Sequence, residues 1–452
     1  MKKTVFSIQV SEHNPNTVYL PYVFPSTVNL KEISFGTRIL PCDVITDYLS
    51  DNTVTIGSEI YAELGLPFSS DVHIFLHEES IHIGPLIGIF TAGFTESTLR
   101  PIGERSLFFA NLLSSVEGAY IFVFGSHQIN WKEGCISGYF YNEKRWVQYD
   151  IPFPHVVYDR LPNRKTEHHR AIARVKQRLQ SEYLIPWFNP GFFNKWDVYQ
   201  LLKEDFNASL YLPETQLFES FEQVEFLLSK YKHVYMKPMN GSLGMSIYQI
   251  RYSTSQNEYY CRFRDEEGNK LRKYQSLEVL INHLLSQHDL HTFIVQQGIS
   301  LLRVNGHPVD FRIHTNKNRN GEWKMSALAA KIAGQGSMTT HVNNGGDIKS
   351  MEEIFPDEEL RTSILFAMQQ ATLLLSEKID EKMEGYIGEI GFDIGMDHEQ
   401  RIWLFEANSK PGRSIFDHPK LKTSDQLTKE LFLQYAIHLT EKSLMFPEEM
   451  FP

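Results

Sequence analysis

Through residues 1–83 apolar and polar positions alternate with period two, the pattern of half-buried strands. "TVNLKEISFGTRILPCDVIT" carries the alternation, broken at Gly36 and Pro41. "NTVTIGSEIYAELGLP" reads as a strand, a short helix and a stop at Pro67. "DVHIFLHEESIHIG" adds two short strands, so a small β-rich, barrel-like module is expected over 1–83. The pattern changes at residue 84. "GPLIGIFTAG" is a continuous apolar run ending in small residues, which predicts a buried parallel strand. A helical "ERSLFFANLLSSVEG" and the strands "AYIFVFG" and "HVVYDRLP" follow, and this β-α-β order predicts a three-layer α/β domain over 84–185. Its last helix, within "EHHRAIARVKQRLQSEYLI", puts Ile172, Val175 and Leu179 on one face and ends at Pro186.

Residues 186–452 read differently. A helix starts in "FNKWDVYQLLKED", and strands recur at "HVYMKP", "MSIYQI", "EYYCRFRD", "TFIVQQGI", "PVDFRIHTNK" and "KMSALAAKIA". Ile364, Leu365, Met368, Thr372 and Leu375 fall in helical register over 358–379. Two strands, "YIGEIGFDIGM" and "RIWLFEAN", precede a last periodic helix in "DQLTKELFLQYAIHLTEKSLMF". Two antiparallel sheets with flanking helices are expected here. The whole chain is thus a multidomain α+β and α/β protein in prospect.

Composition narrows the function. Lys plus Arg number 44 and Asp plus Glu 55, a net charge of −11, which argues against a nucleic-acid partner held by bulk charge. Cys42, Cys135 and Cys261 are odd in number and form no CxxC, so neither a disulfide framework nor a zinc site follows. "MKKTVFSIQV" lacks a signal-peptide core, and no run of about 18 apolar residues occurs. An intracellular protein without a membrane partner is expected. The aromatic "YIFVFG" and "SGYFYNEKRW" leave room for an oligomer interface.

Candidate chemistry concentrates in the last region. If "GFDIGM" and "IWLFEANSKPG" form a hairpin pairing Asp397 with Ile402, Asp393 falls opposite Glu406, with Asn408 on the same face. Two facing carboxylates repel unless a cation lies between them, and with an amide oxygen they suit a hard ion such as Mg²⁺. In "YMKPMNGSLGMS", Lys237 precedes a turn in which Gly241, Ser242 and Gly244 offer close backbone approach to an anion. The same stretch alone also reads as a plain hairpin. "FIVQQGISL" turns polar at Gln296, Gln297 and Gly298, where backbone groups could read an adenine edge with Ile299 against the ring. Asp310, Arg312 and His314 alternate onto one face, suited to a ribose hydroxyl and an anion, or to simple Asp–Arg pairing on an edge strand. Lys331, on the apolar strand "LAAKIAG", is costly to bury unpaired and calls for an anionic ligand. "GQGSMTTHVNNGG" is long enough to be a functional loop.

In their order and spacing, "NKW", "MKPMNGSLGMS", "VQQGI", "DFR", "AAKIA", "NNGG", "GFDIG" and "FEANSKPG" resemble the ATP-grasp superfamily over 186–445. The segment from "GPLIGIF" resembles the pre-ATP-grasp domain that accompanies it. Within the superfamily the chain is similar to the YheC/YheD type, a group described as endospore coat-associated in spore-forming bacilli. The resemblance implies ATP between two α+β subdomains of an ATP-grasp domain over 186–452. It implies Lys195 and Lys237 on the phosphates under a Gly241–Gly244 flap that includes Ser242. Gln296, Gln297 and Ile299 would line the adenine pocket, and Asp310 would reach the ribose. Mg²⁺, with Mn²⁺ as an alternative, would sit on Asp393, Glu406 and Asn408. Lys331 would act near the γ-phosphate, with Arg312 and Arg413 on the acyl substrate. Gln297 and Lys410 depart from the usual residues at their positions, Glu and a small polar residue. The implied activity is a carboxylate–amine or carboxylate–thiol ligase working through an acyl phosphate. Its partners would be small-molecule or peptide carboxylates and amines, with spore-coat proteins besides, in the cytoplasm or the spore coat of the mother cell or spore. The competing reading is a non-catalytic, nucleotide-binding component of the coat.

Overall fold

The computed structural model describes residues 5–24, 29–241, 246–265, 268–334 and 346–450. Among them four sheets carry the architecture. The first has eight strands, from Val5–Ser11 to Ser80–Gly84, and one helix, Ser58–Leu64. Its outer strands, Arg38–Pro41 and Asp43–Asp47, are separated in the chain by Cys42 alone, so the chain draws the two edges together. The alternate residues Phe6 and Ile8, Val54 and Ile56, and Ile81 and Ile83 are buried, as the period-two pattern predicts.

The second sheet is built on parallel strands Leu86–Phe90, Tyr120–Phe124, Val156–Asp159 and Trp187–Phe188. The first three are buried at every position, as continuous apolar runs require in a parallel sheet. "YIFVF" is therefore spent on this core and offers no oligomer interface. "SGYFYNEKRW" lies in the antiparallel hairpin of Cys135–Asn142 with Arg145–Pro152. Helix Arg170–Ser181 buries Ile172, Val175 and Leu179. One apolar cluster runs from Phe6 through Phe35, Tyr120 and Phe153 to Trp187, so the first two sheets share a core.

The last two sheets are antiparallel and frame the site. One is ordered Thr215–Leu217, Phe293–Gln297, His233–Pro238, Tyr248–Ser253, Glu258–Asp265, Gly268–Tyr274. Helices Phe221–Tyr231 and Leu277–Leu285 share its core through Val224, Leu227, Leu280 and Ile281. The other is ordered Asp347–Lys349, Trp323–Ile332, His307–Lys317, Glu389–Met396, Ile402–Asn408. Helix Glu358–Lys382 packs Ile364, Met368 and Leu375 into the core of that sheet with Phe311, Ile313 and Phe392. The last long helix, Lys422–Met445, shares a core through Phe432, Tyr435 and Leu439 with Ile87 and Ile89 of the parallel sheet and Phe109 of helix Ser106–Ser114.

The register of the Glu389–Met396 and Ile402–Asn408 hairpin corrects one expectation. Met396, not Asp397, pairs with Ile402. Asp397 closes the turn instead, accepting from Arg401 N and Trp403 Nε1, both at 2.9 Å. Phe405 then has no partner of its own, and this one-residue bulge restores the pairing of Asp393 with Glu406 and of Gly391 with Asn408.

Candidate functional site

Alternation on His233–Pro238 puts Tyr235 and Lys237 on one face, with Gln296 directly across from Tyr235 on the neighbouring strand. Lys237 Nζ donates to Gln296 Oε1 at 2.8 Å and, across to the other sheet, to Phe405 O at 3.2 Å. Gln296 is held in turn by donating to Thr215 Oγ1 at 2.9 Å. Burial, and then the nearby Lys195 ammonium, push Lys237 down to about 8, against the pull of Glu406 and Asp393. Lys195 opens helix Lys195–Lys203, where Asn194 Oδ1 accepts from Trp196 N and Asp197 N. From there its ammonium pairs with Glu406 at 3.1 Å and donates to Gly241 O at 2.5 Å.

On the facing sheet, Asp310 pairs in register with Lys331 and Arg312 with Asp393. Lys331 bridges two carboxylates, Asp393 at 2.7 Å and Asp310 at 3.1 Å. Burial disfavours the Lys331 ammonium, yet those two carboxylates outweigh it and raise its pKa. Arg312 meets Asp393 at 3.2 Å, leaving its Nη1 and both nitrogens of buried His314 without a hydrogen-bond partner among the described residues. Burial, and then Arg312, Arg413 and Arg160, hold His314 well below its ordinary value, so this imidazole is neutral.

These groups converge. Lys237, Gln296, Gln297, Ile299, Asp310, Lys331, Asp393 and Glu406 line one cleft between the sheets, with Tyr235, Ile247, Leu301 and Phe405 as its aromatic and apolar walls. Its mixture of a few convergent charged groups with aromatic and apolar walls is that of a small-ligand pocket. Lys195 lines the smaller cavity beneath, together with Lys237, Gln296 and Glu406. At the link between the sheets, a Cβ on Gly298 would stand 2.0 Å from His233 Cδ2, so only glycine fits there.

Other described residues singled out in the sequence stand outside this cleft lining. Arg413 is engaged by Asp425 at 2.6 Å and by Thr428 on the last long helix. Asn408 sits opposite Gly391 and is absent from the cleft lining. Ser242 and Gly244, with residues 335–345 of the loop "GQGSMTTHVNNGG", fall outside the described residues. Lys410 is paired with Asp159 at 2.5 Å and stacks over the Phe192 ring at 4.5 Å. Sequence reasoning passed over Thr215, Phe405 and Arg160. Arg160, buried against Glu389 at 3.1 Å, had one signal: it follows Asp159 at the carboxyl end of a buried parallel strand, where α/β sheets gather polar function.

Comparison with known proteins follows the same lines. The family model for YheC/D-like ATP-grasp proteins matches residues 184–439. The chain is 43% identical to the endospore coat-associated protein YheD of Bacillus subtilis over 449 residues, 99% of each chain. It is 23% identical to the endospore coat-associated protein YheC of the same organism over 307 residues, 67% of this chain and 81% of that one. Among solved structures, the VanG D-Ala:D-Ser ligase of Enterococcus faecalis aligns with 78% of this chain and 99% of its own, at 15% identity and a TM-score of 0.46.

Proposed function

The chain belongs to the YheC/D-like ATP-grasp family, and from that premise we propose that it binds Mg-ATP between its two antiparallel sheets and acts as an ADP-forming carboxylate–amine or carboxylate–thiol ligase. The observation that carries this reading is the convergence of Lys237, Lys331, Asp393 and Glu406 on one cleft from both sheets. Lys195 and Lys237 approach it from one side and hold the phosphates; Gln296, Gln297 and Ile299 receive the adenine, and Asp310 the ribose.

Asp393 and Glu406 are direct cross-strand partners, each already charge-matched by a lysine. Among the described residues no group of three or more His, Cys, Asp or Glu side chains is placed to hold a metal ion. Two carboxylates with the Asn408 amide form a sparse oxygen donor set, which fits a hard cation that keeps waters and shares phosphate oxygens. Bound there, Mg²⁺ or Mn²⁺ supplies positive charge to the transferring phosphoryl group. The chain's own part is electrostatic: Lys331 moves from Asp393 and Asp310 toward the developing phosphoryl charge, and Arg312 orients the acyl substrate. A substrate carboxylate oxygen attacks the γ-phosphorus while its bond to the ADP oxygen breaks. The amine or thiol then attacks the acyl carbon, releasing phosphate and a proton.

The 43% identity to an endospore coat-associated protein supports a setting at the spore coat, with coat proteins and small-molecule or peptide carboxylates and amines as partners. Single-turnover ADP release across acid–amine pairs tests the reaction, and one productive pair is the expected result. Mg-ATP binding without ADP release for any pair would favour the non-catalytic coat component.

A further inference from the structure

A second cavity opens beside the nucleotide cleft and shares Tyr235, Ile299, Leu301 and Pro308 with it as a common wall. Among the described residues its lining contains three arginines, Arg251, Arg262 and Arg303, and no carboxylate. That is unusual in a chain of net charge −11, and three guanidiniums lining one cavity without a lining anion repel one another.

Topology explains the convergence. Gln249 pairs in register with Arg262, and Arg251 lies two residues after Gln249, so all three share a sheet face. Tyr235 is the cross-strand partner of Gln249, and its Oη accepts from Gln249 Nε2 at 2.7 Å. Arg303 comes from the other sheet, where the short strand Arg303–Val304 pairs with the start of His307–Lys317. Its Nη1 donates to Gly306 O at 2.5 Å, fixing the guanidinium at that hairpin. Arg251, Arg262 and Arg303 all act electrostatically on the Tyr235 phenol, whose pKa burial nevertheless raises.

The position separates this cavity from the phosphoryl-transfer end. Along His233–Pro238 it lies at the His233 end, while Lys237 points to Phe405 and the carboxylates. On the facing sheet it reaches Gly306, His307 and Pro308, whereas Arg312 is further along the same strand. Neither Lys195, Lys331, Asp393 nor Glu406 lines it.

We propose that this arginine-lined cavity is a separate binding site for a phosphate group, contacted from both sheets at once. Guanidinium forks match a phosphate's paired oxygens, and Gln249 and Ser300 add neutral donors. Since the ligand touches both sheets, it favours the closed cleft and so tightens Mg-ATP, a coupling that rests on the nucleotide reading above. The binding itself does not.

Calorimetric titration of the nucleotide-free full chain with inorganic phosphate, and separately with glycerol phosphate, tests the site. One binding event is expected, weakened at least tenfold in R251Q/R262Q and unchanged in Lys237→Met. Tighter binding of glycerol phosphate would identify a phosphate ester as the natural source, and tighter binding of inorganic phosphate the free ion; either supports the site. Absence of binding by the intact chain, or a loss confined to Lys237→Met, would overturn it. Arg251 is exposed and Arg262 half-buried, so the double variant is expected to keep its melting temperature. A matching drop in ATP affinity in R251Q/R262Q, with phosphate competing against ATP, would put the nucleotide's own phosphates there and also overturn the proposal. A chain that binds phosphate but no ATP would leave this site standing and sink the nucleotide reading alone.

Discussion

Lys237 is the residue whose protonation matters at ordinary pH. Its folded value of about 8 lies below the 10.5 of a free lysine, so between those values the unfolded chain holds a proton that the folded one has lost. Its contribution therefore makes stability rise with pH across that window, while below about 8 the cost of the buried charge is fully present. Ligand binding runs the other way. A triphosphate favours the ammonium and raises its pKa, so Mg-ATP is expected to bind with net proton uptake above pH 8 and to weaken as pH rises further. Calorimetry at pH 8.5 in buffers of different ionisation enthalpy reads that uptake directly. Lys237→Met should abolish it and weaken ATP far more than adenosine; equal losses for the two ligands would mean that Lys237 does not meet phosphate. On the opposite sheet, Glu406→Gln is expected to remove Mg²⁺-dependent ATP affinity. An unchanged affinity would sink the metal assignment.

At the scale of elements, the hairpin and the inter-sheet link do most to shape the cleft. Glu406 faces Asp393 only because Phe405 bulges; a regular ladder continued from Met396 and Ile402 would bring Glu406 opposite Phe392 and turn it to the other face. The pairing at the site and the polar turn "DHEQR" between the strands were legible in the sequence, but Asp397's place inside that turn rather than in the ladder was not. Gly298 was readable as a turn residue, yet its real constraint is the His233 ring 2.0 Å from where a Cβ would lie. Gly298→Ala should therefore destabilise the fold by about 1–3 kcal/mol through overpacking. Urea denaturation checks the stability, and a larger loss of ATP affinity than of stability would show that the link also sets the distance between the sheets. Helix Lys195–Lys203 offers a milder case: Asn194→Ala removes a cap worth about 1 kcal/mol and loosens Lys195 from Glu406. Thermal melting would show the first effect, and weakened ATP binding the second.

Across the whole molecule, buried charges tie the parallel sheet to the ATP-grasp hairpin. Asp159 is fully buried and holds Lys410, whose side chain is 2% exposed, while also accepting from Trp187 Nε1 at 3.1 Å. Burial lowers the Lys410 pKa despite Asp159, so the ammonium depends on that partner. Arg160 reaches Glu389 and the Pro411 carbonyl, and the Tyr158 hydroxyl also bonds Glu389. Asp159→Ala leaves a buried lysine with only Glu167 at 3.8 Å and is expected to cost about 3–5 kcal/mol. Adding Lys410→Met should recover part of that loss, measured by chemical denaturation; no recovery would mean that Asp159 acts through Trp187 and the strand end instead.

Period-two and period-3.6 patterns determined the elements by themselves, because a residue's inside or outside position follows from local repeat geometry. Buried stripes such as Ile172, Val175 and Leu179 could be named from spacing. So could the motif residues of the cleft, since an apolar strand that carries Lys331 or Asp393 demands a partner wherever it folds. Which partners they found was decided only by tertiary structure. Lys331 rests on Asp310 and Asp393, Lys195 on Glu406, and Lys410 on a strand about 250 residues away in another sheet, all pairs set by which faces meet. The arginine cavity belongs to the same class. Arg251, Arg262 and Arg303 look like ordinary surface charge in the chain, and only the meeting of two sheets brings them together, because Coulomb interactions depend on distance in space and not along the sequence.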